Sequence, residues 1–159
     1  MPVQRGEPLP ADDTVIRLLT IFSKDGRVAP TSFSLSSEDE RSELKAISVF
    51  ALRLTTPIQA RDFMRADSSN PIEYYAPFLV CEIRGIRPDP DSPQISNLDV
   101  QWDPLDDDES KAKPGVEGHA GITGLYREAY AGLANVKNMF KSLRSQLADI
   151  AEGRKTRIL

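Results

Sequence analysis

Residues Ile122–Glu152 read ITGLYREAYAGLANVKNMFKSLRSQLADIAE, with apolar side chains at Ile122, Tyr126, Ala129, Leu133, Val136, Phe140, Leu143, Leu147 and Ile150. Steps of three and four residues set these side chains on one stripe of a helix. A helix from Leu125 to Glu152 would be about 42 Å long at about 1.5 Å per residue. The residues before it make a domain only about 35 Å across by ordinary size scaling. Part of the stripe is therefore expected to overhang, and an overhanging apolar stripe needs cover from a second copy, another protein or a bend that folds the helix back.

The flanks of the stripe separate these options. With Tyr126, Leu133, Phe140 and Leu147 at heptad position a, Lys137 and Arg144 fall at e, while Gly132, Met139 and Gln146 fall at g. A parallel twin would offer those cations no acid at g. An acidic partner or the chain's own domain suits the seam better, and Met139 widens the apolar face beyond a narrow coiled-coil stripe.

Charge changes sign along the chain. From Gly124 onward Arg127, Lys137, Lys141, Arg144, Arg154, Lys155 and Arg157 outnumber Glu128, Asp149 and Glu152, although the whole chain carries a net charge of -4. An acidic body thus bears a basic tail. Apolar residues make up 40% and charged residues 28% of the 159 positions, the balance of a globular domain with a real core. No run approaches the length of a membrane span, MPVQRGEPLPADD at the start is unlike a signal peptide, and the single Cys81 permits no internal disulfide. These features predict a cytoplasmic protein with no membrane contact.

Working back from the helix, four segments divide the chain: a flexible lead-in over 1–13, an α+β domain over 14–123, the amphipathic helix over 124–152 and a basic tail over 153–159. Thr14–Ser23 is rich in β-branched and aromatic residues and reads as a buried strand, closed by a turn at Lys24-Asp25-Gly26-Arg27. Val28–Leu35 reads as a short or edge strand because of Pro30, and Ser36–Lys45 as a loop with at most one helical turn. Ala46–Leu54 is the next strand. Thr55-Thr56-Pro57 then gives the start signal for a short helix to Ala66. Pro77–Arg87 and Ile95–Trp102 read as strands, the second with Leu98, Val100 and Trp102 on one face. The expected fold is a small, mostly antiparallel sheet of four or five strands with one short helix and one long one.

Candidate chemistry is sparse. His119 is the lone histidine, in Gly118-His119-Ala120-Gly121-Ile122-Thr123-Gly124. A histidine can serve as general base, and adjacent glycines admit close backbone approach by a ligand, with Asp103 or Asp106 nearby. The simpler expectation is that the glycines shape the turn into the helix and His119 caps or packs there, because no nucleophile elbow accompanies it. The glycines match neither nucleotide-binding spacing, so phosphate binding is not predicted. Asp103, Asp106, Asp107, Asp108 and Glu109 lack the order of a calcium loop and read as solvated, and one Cys with one His cannot build a structural zinc site. No metal or cofactor is expected. Cys81 reads as a small core residue. Lys137, Lys141 and Arg144 form a basic stripe, but the acidic total and the lack of interleaved aromatics argue against nucleic acid.

The segments Lys24-Asp25-Gly26-Arg27-Val28-Ala29-Pro30-Thr31-Ser32-Phe33, Ala46-Ile47-Ser48-Val49, Thr55-Thr56-Pro57 with Ala60, and Gly118-His119-Ala120-Gly121-Ile122 resemble a group of small uncharacterised bacterial proteins. Those proteins share a "DGRV…aF…LSV…HA-x-I" pattern, and the likeness spans most of residues 14–125. The resemblance implies a bacterial origin and a compact α+β unit, with no established activity. The long helix is an addition to that pattern.

Together these features predict a non-enzymatic bacterial interaction module that docks a partner or a second copy, as in a toxin–antitoxin or defence complex. Leu133, Val136, Phe140, Leu143 and Leu147 are the expected anchors, with Lys137 and Arg144 steering an acidic partner. The alternative is a small enzyme or ligand-binding domain centred on His119, the one weak catalytic candidate.

Overall fold

A computed structural model describes residues 3–65, 72–88, 98–105, 118–126 and 136–158. Strands β1 (Thr14–Leu19), β2 (Ile47–Ala51), β3 (Tyr74–Leu79), β4 (Asp99–Trp102), β5 (His119–Thr123) and β6 (Thr156–Arg157) form one sheet in the order β4-β5-β2-β1-β3-β6. Every pairing is antiparallel. Helices α1 (Ser37–Arg41), α2 (Pro57–Arg65), α3 (Val80–Arg84) and α4 (Val136–Arg154) complete it, with a 3₁₀ turn at Pro30–Phe33. The class is the expected α+β, with six strands instead of four or five.

Alternation along the strands builds two cores, one on each face of the sheet. Val15, Leu19, Val49, Phe78, Val100 and Ile122 meet Phe140, Leu143 and Leu147 of α4 on one face. Ile16, Leu18 and Phe50 meet Ala60, Phe63 and Met64 of α2 on the other. Helix α2 starts where its sequence dictates. Gln59 N–H donates to Thr56 Oγ1 at 3.1 Å and Thr56 N–H to Gln59 Oε1 at 3.0 Å, a reciprocal cap with Pro57 at the first helical position.

Several local expectations give way to long-range pairing. The lead-in over 1–13 is not loose along 6–9. Gly6 N–H donates to Trp102 O and Leu9 N–H to Val100 O, while Glu7 O accepts from Trp102 N–H, so the segment covers the open edge of β4 and buries Leu9. The strand expected over Val28–Leu35 is reduced to one bridge between Phe22 and Val28, followed by the 3₁₀ turn that drives Phe33 against Phe78, ring centroids 5.9 Å apart.

The Pro77–Arg87 run is a strand only to Leu79. Its neighbour β1 begins at Thr14, opposite Leu79; beyond it Val80 N–H and Cys81 N–H donate to Asp13 O and Ala11 O as the chain turns into α3. Glu82 accepts from Leu79 N–H at the helix start and is held by Arg154 from the end of α4. The helical turn leaves Cys81 exposed, in place of the buried position expected of a strand.

The glycine-rich segment before the long helix is also a strand, because β2 and β4 pair with it from both sides. Gly121 is required there: a Cβ at this position would lie 2.4 Å from the Ala46 Cβ. Leu125 and Tyr126 are not helical, and the described helix runs Val136–Arg154 instead of starting at 124. Beyond it, the tail over 153–159 contributes β6, whose Arg157 and Thr156 pair with Tyr74 and Tyr75.

Candidate functional site

Most side chains expected to anchor a partner are inside the domain. Leu143 and Leu147 are fully buried and Phe140 is 7% exposed, because α4 lies flat on the sheet and against the 3₁₀ turn. The seam is covered by the chain's own core over this stretch. Val136 is half-buried, Lys137 is exposed, Arg144 reaches Ser34 Oγ, and Leu133 lies outside the described residues. Arg154 and Lys155 are engaged within the fold, with Glu82 and Glu152.

His119 sits at the centre of a connected polar group. It opens β5 opposite Phe50, with the two rings edge to face at 5.3 Å. Its Nδ1 lies 2.8 Å from the backbone oxygen of Asp103 and its Nε2 lies 2.9 Å from Ser48 Oγ. A carbonyl only accepts, so Nδ1 carries the proton; the bare Nε2 accepts from the Ser48 hydroxyl. The Asp103 carboxylate is 3.6 Å from Nδ1 and is bound more closely by Arg5, Nε to Oδ1 at 2.6 Å. Arg5 in turn reaches Glu43 at 3.4 Å and Pro104 O at 3.2 Å.

Ser48 also connects this group to a half-buried cation. Arg17 donates from Nη1 to Ser48 O at 2.8 Å and from Nη2 and Nε to Ser32 O at 2.7 and 3.2 Å. Burial pulls the Arg17 pKa below the usual arginine value, with Asp39 opposing the shift. Ser32, Ser48 and His119, which lie in three separate segments of the quoted pattern, are thus joined through Arg17 and one hydroxyl. Sequence reasoning singled out His119 and Asp103 but missed Ser48, Arg17 and Arg5. The signal available was that Arg17 is the only charge in TVIRLLTIFS and Ser48 the only hydroxyl in AISVFALRL.

The arrangement has the donor direction of a serine primed by a neutral histidine base. It lacks the access. His119 is 6% exposed, so a leaving group would reach the proton that Nε2 takes from Ser48 only once the ring is uncovered. Among the described residues no group of three His, Cys, Asp or Glu is placed to hold a metal ion, and Asp106–Glu109 lie outside those residues. No described helix is long and apolar enough to cross a membrane. Comparisons with protein-family models, with curated proteins and with solved structures find no match to this chain.

Burial lowers the pKa of His119, outweighing the carbonyl and carboxylate of Asp103, with Asp39 also raising it and Arg5 lowering it. The folded protein therefore binds this proton less readily than the unfolded chain. The stability it contributes is complete above the ordinary histidine value of 6.5 and is lost as pH falls below it, levelling off beneath the folded pKa. Urea unfolding of the wild type is expected to show stability falling between pH 7.5 and 5.5 by at most about 1.4 kcal/mol per pH unit, with a flatter profile in His119→Asn. Glu82 and Glu152 are held below the carboxylate value of 4.5 first by hydrogen bonds from Arg154 and Lys155, so they act at lower pH and do not confuse the window. Parallel profiles for the two proteins would sink this assignment.

Proposed function

We propose that the chain is a non-enzymatic protein-interaction module whose docking surface is the apolar end of the sheet on the α2 face. The observation that carries this is four large aliphatic side chains, Leu52, Leu54, Ile58 and Leu79, each 38 to 46% exposed, on segments whose backbones meet near one end of the sheet. Leu52 and Leu54 follow β2, and Ile58 lies in the first turn of α2. Leu52 N–H donates to Thr14 O, and Thr14 pairs with Leu79, which brings the fourth side chain to the same end. Arg53, between Leu52 and Leu54 in sequence and paired with Asp13, supplies a charge in the same turn. An apolar centre beside charged residues is the anatomy of a protein interface. The exposed Lys137 and Lys141 lie on α4, in the opposite layer, and do not share this surface.

Leu52→Glu and Ile58→Glu test the proposal because both positions are exposed and outside the two buried clusters. Light scattering over a concentration series should show wild-type self-association, or mixed complexes with a copurified protein, that the double variant loses with its melting temperature unchanged. Equal masses and equal copurification for the two proteins would overturn it.

A second reading has one observation in its favour, the Ser48 hydroxyl at 2.9 Å from a bare histidine nitrogen. In that case Ser48 would act as nucleophile and His119 as base in acyl transfer. A fluorophosphonate adduct on Ser48, absent in His119→Asn, would support it; an unlabelled wild type would remove it.

A further inference from the structure

A cavity of about 430 Å³ lies away from both the His119 group and the apolar patch, between the Ser23–Val28 turn and the start of β3. That volume is within the range of small-molecule sites. Its walls include Leu19, Phe22, Gly26, Glu73, Tyr74 and Lys155. The rings of Phe22 and Tyr74 meet edge to face, centroids 5.8 Å apart, and form an aromatic corner. The rim is held from the far end of the chain. Glu152 accepts from Val28 N–H at 2.9 Å, and Lys155 donates to Gly26 O at 3.1 Å, so the turn is tied to the end of α4 before any ligand arrives.

The two charges on the wall differ in what already satisfies them. Lys155 Nζ is 2.8 Å from Glu152 and 6.0 Å from the Phe22 ring centroid, so its charge is answered. The Glu73 carboxylate has no ion pair and no hydrogen bond among the described residues; only its backbone oxygen is used, by Ile158 N–H. The unanswered charge in the cavity is negative and stands beside two aromatic rings. With Lys155 already over the Phe22 ring, the carboxylate is the group that favours a cation, while the rings and Leu19 accept an apolar body.

We propose that this cavity binds a small organic amine, its ammonium group on Glu73 and its apolar body against Phe22 and Tyr74. The Glu73 side chain is exposed, so removing its charge leaves the folded core untouched. The test is calorimetric and NMR titration of the full chain with phenethylamine, and with phenylpropionate as a body of similar shape and opposite charge. Phenethylamine should bind saturably within about 10 mM, at least about tenfold more tightly than phenylpropionate, and Glu73→Gln should weaken it by a similar factor. Shifts should centre on Phe22 and Tyr74. Absence of saturation by phenethylamine, equal binding of phenylpropionate, or unchanged affinity in Glu73→Gln would each overturn the proposal.

Discussion

Leu143→Ala is expected to lower the unfolding free energy by about 3 kcal/mol, and Leu143→Asp to abolish cooperative folding. Leu143 and Leu147 have no exposed surface, and they sit where α4 crosses β3 and the 3₁₀ turn that carries Phe33. Truncating a buried leucine removes its transfer energy and leaves a cavity that a sheet on one side and a helix on the other cannot close. A helix that served as a detachable docking arm would respond differently. Its leucines would be in water in the free protein, so Leu143→Ala would leave the urea midpoint in place and weaken association instead. Urea unfolding of both variants, beside light scattering of the alanine variant, reads the two effects separately. A midpoint shift without a mass change is the expected outcome; the reverse pattern would return the seam to the role of partner anchor.

The seam shows what periodicity can and cannot tell. The three-four spacing marks an amphipathic helix and even its buried members, since a face is a local property of the chain. What covers that face is not local. An overhang requires one helix from Leu125 to Glu152, but Leu125 and Tyr126 are not helical and Ile122 belongs to β5, so the seam is not one helix throughout. The cap at Thr56-Pro57 and the turn at Gly26, with φ of 82°, were legible because each is decided within four residues. β5 was not, because a short strand with Gly121 inside it and Gly118 just before it has little intrinsic preference and exists through pairing with β2 and β4. α3 was hidden similarly: its VCEIR core looks extended until the end of β1 and the distant Arg154 are taken into account.

The same division runs through the candidate site. His119 attracts notice as a lone histidine between glycines, and Asp103 as the first of the acidic cluster preceding it, but the partner of Nε2 is 71 positions away in sequence. Ser48 becomes visible only when the register is known. Continuing the β1–β2 register beyond Ile16 opposite Phe50 would set Leu18 opposite Ser48, yet that pair is not formed. The strands part, and the Ser48 carbonyl accepts from the Arg17 guanidinium instead.

Arg17→Ala should therefore be the most damaging change outside the apolar core, destabilising by about 3 kcal/mol or more. Two carbonyls, of Ser32 and Ser48, lose their side-chain donor at once, and each buried acceptor left unpaired costs about 1 to 3 kcal/mol. Against this stands the desolvation of the guanidinium, which its removal relieves and which already lowers its pKa. The fork geometry decides the balance: one planar group spans both carbonyls with three hydrogen bonds, so the native cation is well compensated and the truncated site is not. Arg17→Lys should recover only part of the loss, because a single ammonium cannot reproduce the fork across the parted strands. Because Ser48 is shared, the loss should also reach His119, shifting its ring resonances in Arg17→Lys while the chain remains folded. An Arg17→Ala protein with the wild-type urea midpoint would show that the opening between β1 and β2 closes by strand pairing alone. It would also leave the joining of Ser32, Ser48 and His119 without an energetic basis.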